Sequence, residues 1–135
     1  MVYKILVIGK NGQVARSIQD HENSSDYIFI GRPDFDVKSR AKFHDIVGQL
    51  RPNIIINCSA YTNVEGAELD EESVYDLNVN GAINIADICA EFDIILIHYS
   101  TDYVFDGVSG PYSENDPVNP LSVYARHKLD AEVGV

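Results

Sequence analysis

The chain has 135 residues, 45% of them hydrophobic and 23% charged, and carries a formal net charge of −11. That is the length of one domain with enough apolar mass for a core. The acidic balance excludes nucleic acid and anionic membrane as partners, because both call for a basic surface. It leaves room for a bound phosphate, which backbone N–H groups can hold against a negative overall field.

The N-terminal MVYKILVIG lacks the basic n-region and small-residue cleavage site of a secretion signal. No apolar run approaches the roughly 20 residues needed to cross a bilayer. The expected location is the cytoplasm. Cys58 and Cys89 lie in apolar stretches, IIINCSA and ADICAEF, and read as buried reduced thiols.

In chain order, YKILVIG (3–9) is a short apolar run ending in glycine, and predicts a first strand. GQVARSIQD (12–20) predicts a helix, and YIFIG (27–31) a second strand of the same form. SRAKFHDIVGQL (39–50) repeats Phe43, Ile46, Val47 and Leu50 at helical spacing. NIIINCSA (53–60) predicts a third strand. A long helical stretch within 66–91 places Val74, Leu77, Ala82, Ile85, Ile88 and Cys89 on one stripe, and DIILIHYS (93–100) predicts a fourth strand.

Unbroken apolar strands suit a parallel sheet covered on both faces. Right-handed crossovers make the β-α-β-α-β-α-β order a doubly wound, Rossmann-like α/β sheet. The expected strand order is 3-2-1-4, with the fourth strand at an edge. The loop 102–122 is rich in Gly, Pro, Asn and Ser, and loops of that length are functional or mobile. A last helix follows it.

GKNGQVA (9–15) joins the first strand to the first helix. Gly9 permits a tight turn, Gly12 lets the backbone approach a pyrophosphate, and Ala15 allows close packing of helix on strand. The helix N-terminus would then face the phosphates. The spacing is Gly-x-x-Gly-x-x-Ala rather than Gly-x-Gly-x-x-Gly. After the second strand stand Gly31 and Arg32, where a ribose-reading carboxylate is usual. A guanidinium beside a small residue favours a 2′-phosphate, hence NADPH over NADH, with NADH still acceptable.

HYSTDYVF (98–105) lies at the carboxyl end of the fourth strand, where open α/β sheets bind their ligands. Ser100 and Thr101 bring hydroxyls there. Beyond the loop, VYARHK sets Tyr124 four positions before Lys128, one turn apart on one helix face. A phenol ionises near 10, and a nearby ammonium would lower that value. A ketone held by Thr101 beside the phenol could then be reduced, with tyrosine supplying the proton.

The stretches ILVIGKNGQVA, RPDFDV, LRPNIIINCSAYTNVEGAE, LNVNGA, IHYSTDYVFDG and PYSENDPVNPLSVYARHKLDAE resemble, in order, the front part of the extended short-chain dehydrogenase/reductases. Within them they resemble the dTDP-4-dehydrorhamnose reductase family. STDYVFDG together with NPLSVYARHKLDAE is specific to that branch. The resemblance implies that Gly12, Gln13 and Val14 line the cofactor phosphates and that Asp36 and Val37 lie against the adenine. It implies that Ala60, Tyr61 and Thr62 flank the ribose and nicotinamide side, with Tyr99 nearby. Thr101 and Asp102 would face the sugar. Tyr124 would be the acid, and Lys128 would bind the nicotinamide ribose while lowering the tyrosine pKa.

The implied reaction is NADPH-dependent reduction of dTDP-4-dehydro-L-rhamnose to dTDP-L-rhamnose. Reduction of another 4-keto nucleotide sugar is an alternative. So is a non-catalytic nucleotide-binding module like the regulatory subunit of methionine adenosyltransferase. Such reductases continue well past the Tyr-Lys helix, so residues 1–135 are expected to be an incomplete cofactor-binding domain, truncated before the last strands, with the substrate domain absent. The fourth strand's edge would then be covered by self-association or by a missing C-terminal part. Two departures stand out: Gly66, where the family often has lysine, and Gly31, where it often has an acid. The four histidines show no metal-ligand spacing, His98 reads as a satisfied core residue, and no metal is expected. The acidic run GAELDEES (66–73) reads as a solvated helix start.

Overall fold

The computed structural model describes residues 3–21 and 25–135. Four strands form one parallel sheet: β1 (Ile5–Ile8), β2 (Tyr27–Ile30), β3 (Ile54–Asn57) and β4 (Ile95–His98). Helix α1 (Gln13–His21) follows β1, α2 (Arg40–Leu50) follows β2, and α3 (Val64–Leu69), α4 (Glu71–Tyr75) and α5 (Gly81–Phe92) lie between β3 and β4. Helix α6 (Val123–Gly134) comes last.

The sheet order is β2-β1-β3-β4, which corrects the expected 3-2-1-4. β3 pairs with β1, Ile5 opposite Ile54, rather than lying outside β2. The cause lies in residues 31–39. They form turns and no strand, so the position beyond β2 is unfilled among the described residues and α2 carries the chain back across β1. The order therefore reverses between β1 and β3, and their carboxyl ends flank the crevice where doubly wound sheets bind ligands.

Alternate residues of the strands explain the layers. Leu6, Ile8 and Ile55 face α2 and α5 and are buried with Phe43, Val47, Ile85 and Ile88. On the other face Val7 and Ala15 are fully buried, so α1 packs close on the sheet. Full cover of both faces was expected, and the sheet does not have it. On β4, Ile95 and Ile97 are 61% and 43% exposed.

The stretch 66–91 is not one helix. Asp70 breaks it at φ −142° and caps α4 by accepting from the Ser73 N–H. A π-helical turn, Asp76–Asn80, then leads into α5. Such turns often mark functional positions. This one buries Asn78, whose side chain accepts from Tyr61 N–H (2.8 Å) and donates to the Tyr61 carbonyl (3.1 Å).

Candidate functional site

The glycine turn has the form that its residues imply. Gly9 sits at φ +89°, and a Cβ there would meet Cys58 and Ser59 backbone atoms at 2.9 Å, so β1 and β3 can close together only over glycine. Gly12 donates to the Gly9 carbonyl at 2.8 Å. A Cβ on Gly12 would stand 3.2 Å from that same oxygen. The bare turn leads straight into α1, whose first-turn N–H groups have no partner within the helix.

A cleft opens over this turn at the β1/β3 crevice. Gly9, Gly12, Arg32, Asp36, Val37 and Ala60 line it. Gln13 and Val14, next in the chain after Gly12, are exposed at the start of α1 and do not line the cleft. Lys10, Asn11, Phe35, Cys58, Ser59 and Leu77 line it too, and the sequence reading had assigned none of them to it. Leu77 was the hardest to foresee, because its place depends on the π turn. Burial pushes the Cys58 thiol up to about 11, so at neutral pH it is an inert wall.

Tyr61, Thr62, Tyr99, Thr101, Asp102, Tyr124 and Lys128 do not line this cleft. They are nevertheless tied to it. Tyr61 follows cleft-lining Ala60, is anchored by Asn78, and packs against the cluster of Ala67, Val74, Val123 and Tyr124. Its hydroxyl occupies the space that a side chain at Gly66 would need, which accounts for the glycine at that departure from the family pattern. Thr62 is exposed.

Helix α6 starts where VYARHK predicts. Ser122 caps it by accepting from the Ala125 N–H at 3.1 Å. The Val123 N–H, still free of the helix ladder, donates to Glu68 at 2.8 Å. Tyr124 and Lys128 are thereby set on one buried face, at 9% and 3% exposure. The Thr101 hydroxyl accepts from the Tyr103 N–H at 3.2 Å and lies near enough to the Tyr124 phenol to favour its ionised form. Lys128 Nζ donates to the Tyr99 carbonyl at 2.6 Å. It is thus the Tyr99 main chain that enters the site, while its ring is 45% exposed. Asp102 is exposed beside Thr101 and bears on the phenol electrostatically.

One expectation is corrected here. Lys128 was expected to lower the Tyr124 pKa. Burial instead raises it, Asp102 and Tyr103 add to the rise, and only Thr101 opposes. Burial also lowers the Lys128 pKa, against a favourable contribution from Glu132. The phenol is therefore firmly protonated in this state, and the ammonium is directed at a carbonyl.

His98 is only partly satisfied. Its Nδ1 meets the Asn57 amide at 3.1 Å, while its Nε2 is buried without a partner. Asn57 in turn accepts from the Ser59 N–H and hydroxyl, which links the cleft wall to the strand beneath Lys128. The loop 102–122 is held rather than loose. Asp106 accepts from Asn119 (3.0 Å), the Val108 N–H (3.0 Å) and Tyr112 (2.7 Å), which pulls its carboxyl down to about 2. Among the described residues, no three His, Cys, Asp or Glu side chains form a group that could hold a metal, and no helix is long and apolar enough to cross a membrane.

Comparison with known proteins agrees with this geometry. The model of the RmlD substrate binding domain family matches residues 3–135. A dTDP-4-dehydrorhamnose reductase of Sinorhizobium fredii is 37% identical over 134 residues, covering 98% of this chain and 45% of the relative. The crystal structure of dTDP-4-dehydrorhamnose reductase from Bacillus anthracis in complex with NADP superposes with a TM-score of 0.91 at 31% identity, covering 99% of this chain and 49% of that one. Methionine adenosyltransferase 2 subunit beta of Rattus norvegicus is 30% identical over 141 residues, covering 98% of this chain and 42% of the relative. The chain spans about half the length of the curated relatives that it matches.

Proposed function

The chain belongs to the RmlD substrate binding domain family, and from that premise we propose that it forms the NADPH-binding, proton-donating part of a dTDP-4-dehydrorhamnose reductase. The observation that carries the reading is the meeting of Thr101, Tyr124 and Lys128 at the carboxyl end of β4, joined through Tyr61 and Asn78 to the glycine-lined cleft. The reading places the protein in the cytoplasm with a nucleotide sugar as substrate.

The residues fit a dinucleotide. A Cβ on Gly12 would crowd the turn beneath the α1 N-terminus, and glycine keeps that approach open for a pyrophosphate. Arg32 is exposed at the cleft's edge and available to a 2′-phosphate. Asp36 and Val37 form the adenine side, and Ala60 leads toward the nicotinamide side.

NADPH, when bound, supplies the hydride for the 4-keto carbon. The chain's own groups manage the oxygen. A carbonyl oxygen placed between Thr101 and the phenol of Tyr124 would accept from both. The raised Tyr124 pKa keeps the phenol protonated at neutral pH, as a proton donor requires. The proton passes from Tyr124 Oη to the substrate oxygen as charge develops there. Lys128 is held ready by the Tyr99 carbonyl to offer its ammonium to a ribose hydroxyl. Reduction of a different 4-keto nucleotide sugar would use the same groups. A purely regulatory role, suggested by the likeness to the methionine adenosyltransferase subunit, would leave the three of them without a task.

Titration calorimetry with the two cofactors tests the reading. NADPH is expected to bind more tightly than NADH, since a charge-assisted contact is worth about 1.5–3 kcal/mol. Equal or tighter binding of NADH, or binding of neither, would overturn it.

A further inference from the structure

The position after β2 that could carry a ribose-reading carboxylate is closed in this chain by a specific neighbour. A Cβ on Gly31 would stand 3.1 Å from both the Cγ and the backbone N of Lys10. The Lys10 stem therefore lies over Gly31 and takes the space that an acidic side chain would enter. Lys10 is fixed from both ends of its peptide unit: its N–H donates to the Ile30 carbonyl at 3.1 Å, and its own carbonyl accepts from Gln19 at 2.9 Å. Beyond Gly31 its Nζ forms an ion pair with Asp34 at 2.5 Å. Asn11 donates to the Arg32 carbonyl at 3.3 Å and so ties the Arg32 main chain to the glycine turn. Lys10, Asn11, Gly31 and Arg32 all line the one cleft.

We propose that Lys10 is a second cation for the 2′-phosphate of NADPH, and that Asp34 competes with that phosphate for its ammonium; this rests on the NADPH reading above. An ammonium presents three donors with free rotation, so Lys10 can turn toward a phosphate without moving its stem. A phosphate monoester carries more negative charge at neutral pH than the single carboxylate of Asp34, and it offers three acceptor oxygens. The phosphate therefore draws Lys10 away, whereas a 2′-hydroxyl leaves the Lys10–Asp34 pair as it is. Beside Arg32, discrimination comes from two sources: the further cation gained by NADPH, and the absence at Gly31 of a carboxylate that would favour NADH. Asp34 moderates the first by supplying a counter-charge when no phosphate is present.

The test is titration of NADPH and NADH into the wild-type chain and the variants Lys10→Met, Asp34→Asn and the double variant, each checked by circular dichroism for an unchanged fold. Lys10→Met is expected to weaken NADPH about tenfold or more and leave NADH within about twofold. Asp34→Asn is expected to tighten NADPH several-fold without touching NADH, and that gain should vanish in the double variant. Wild-type binding with Lys10→Met indifferent, or with both cofactors weakened equally, overturns the Lys10 proposal alone. A gain from Asp34→Asn that persists in the double variant overturns the competition. Wild type that binds neither cofactor overturns the NADPH reading and this proposal with it. Should Lys10→Met fail to fold, Lys10→Gln keeps the stem over Gly31 and removes only the charge.

Discussion

The ammonium of Lys128 is seated on the backbone carbonyl of Tyr99 at 2.6 Å, while the phenol of Tyr124, one helical turn earlier, has Thr101 as the neighbour that favours its ionised form. The two members of the Tyr-x-x-x-Lys pair thus have separate partners. Burial raises the Tyr124 pKa and lowers that of Lys128. Without cofactor, Tyr124 is expected to ionise above the ordinary tyrosine value. The difference between wild type and Tyr124→Phe in a titration followed at 295 nm reads this directly. A phenolate appearing at lower pH than in a model tyrosine peptide would show that Lys128 already governs the phenol.

His98 predicts a pH dependence of stability. Burial, then the charge of Lys128, push its imidazole down to about 4 from an ordinary value of 6.5. The unfolded chain takes up this proton near 6.5 and the folded chain only near 4. The His98 contribution is therefore complete above about 6.5 and is lost progressively as pH falls to about 4. Urea unfolding at a series of pH values should show wild type losing stability through that window and His98→Gln losing less. Parallel curves for the two would refute the assignment.

Asp106 predicts which residue holds the long loop. Its folded carboxyl value of about 2 lies below the ordinary 3.8, so its contribution is full above 3.8 and fades as pH falls toward 2. Asp106→Asn keeps the size but gives up the charge that Tyr112, Asn119 and the Val108 N–H converge upon. Limited proteolysis at neutral pH should cut the variant within 107–118 faster than wild type, with α6 still intact. Equal cutting rates would mean that the Phe105–Tyr112 stack, with centroids 4.6 Å apart, is enough to hold the loop.

The open side of β4 predicts association. Ile95 and Ile97 lie on one face of the strand at 61% and 43% exposure, the Tyr99 ring just beyond it is 45% exposed, and among the described residues β4 pairs only with β3. An apolar strand edge of this kind invites another chain. The 135-residue chain is expected to sediment above monomer mass, and Ile97→Glu to shift it toward monomer. A wild-type monomer at high concentration would contradict this.

Much of this was legible in the sequence because local chemistry decided it. The turn in GKNGQVA sets Gly9 at φ +89°, which already favours glycine, and Ser122 caps α6 within its own turn. The strand order was misread because it depends on residues 31–39 making turns in place of a strand, which no apolar period signals. Lys10 escaped notice because its meaning lies in contact with Gly31 and Asp34, more than twenty residues away. The pKa of Tyr124 goes the other way from the spacing argument because spacing is silent on burial, which raises it, and on Asp102 and Tyr103, which add to the rise.

In the proposed reaction Tyr124 gives the proton in reduction of a 4-keto nucleotide sugar. The most direct measurement is NADPH-dependent turnover of dTDP-4-dehydro-L-rhamnose by Tyr124→Phe, in a protein that joins this chain to the second half found in its relatives. General acid catalysis contributes about 10²–10⁴-fold, so turnover should fall by that factor while NADPH affinity stays within about twofold. Turnover near the wild-type rate in Tyr124→Phe would contradict the account.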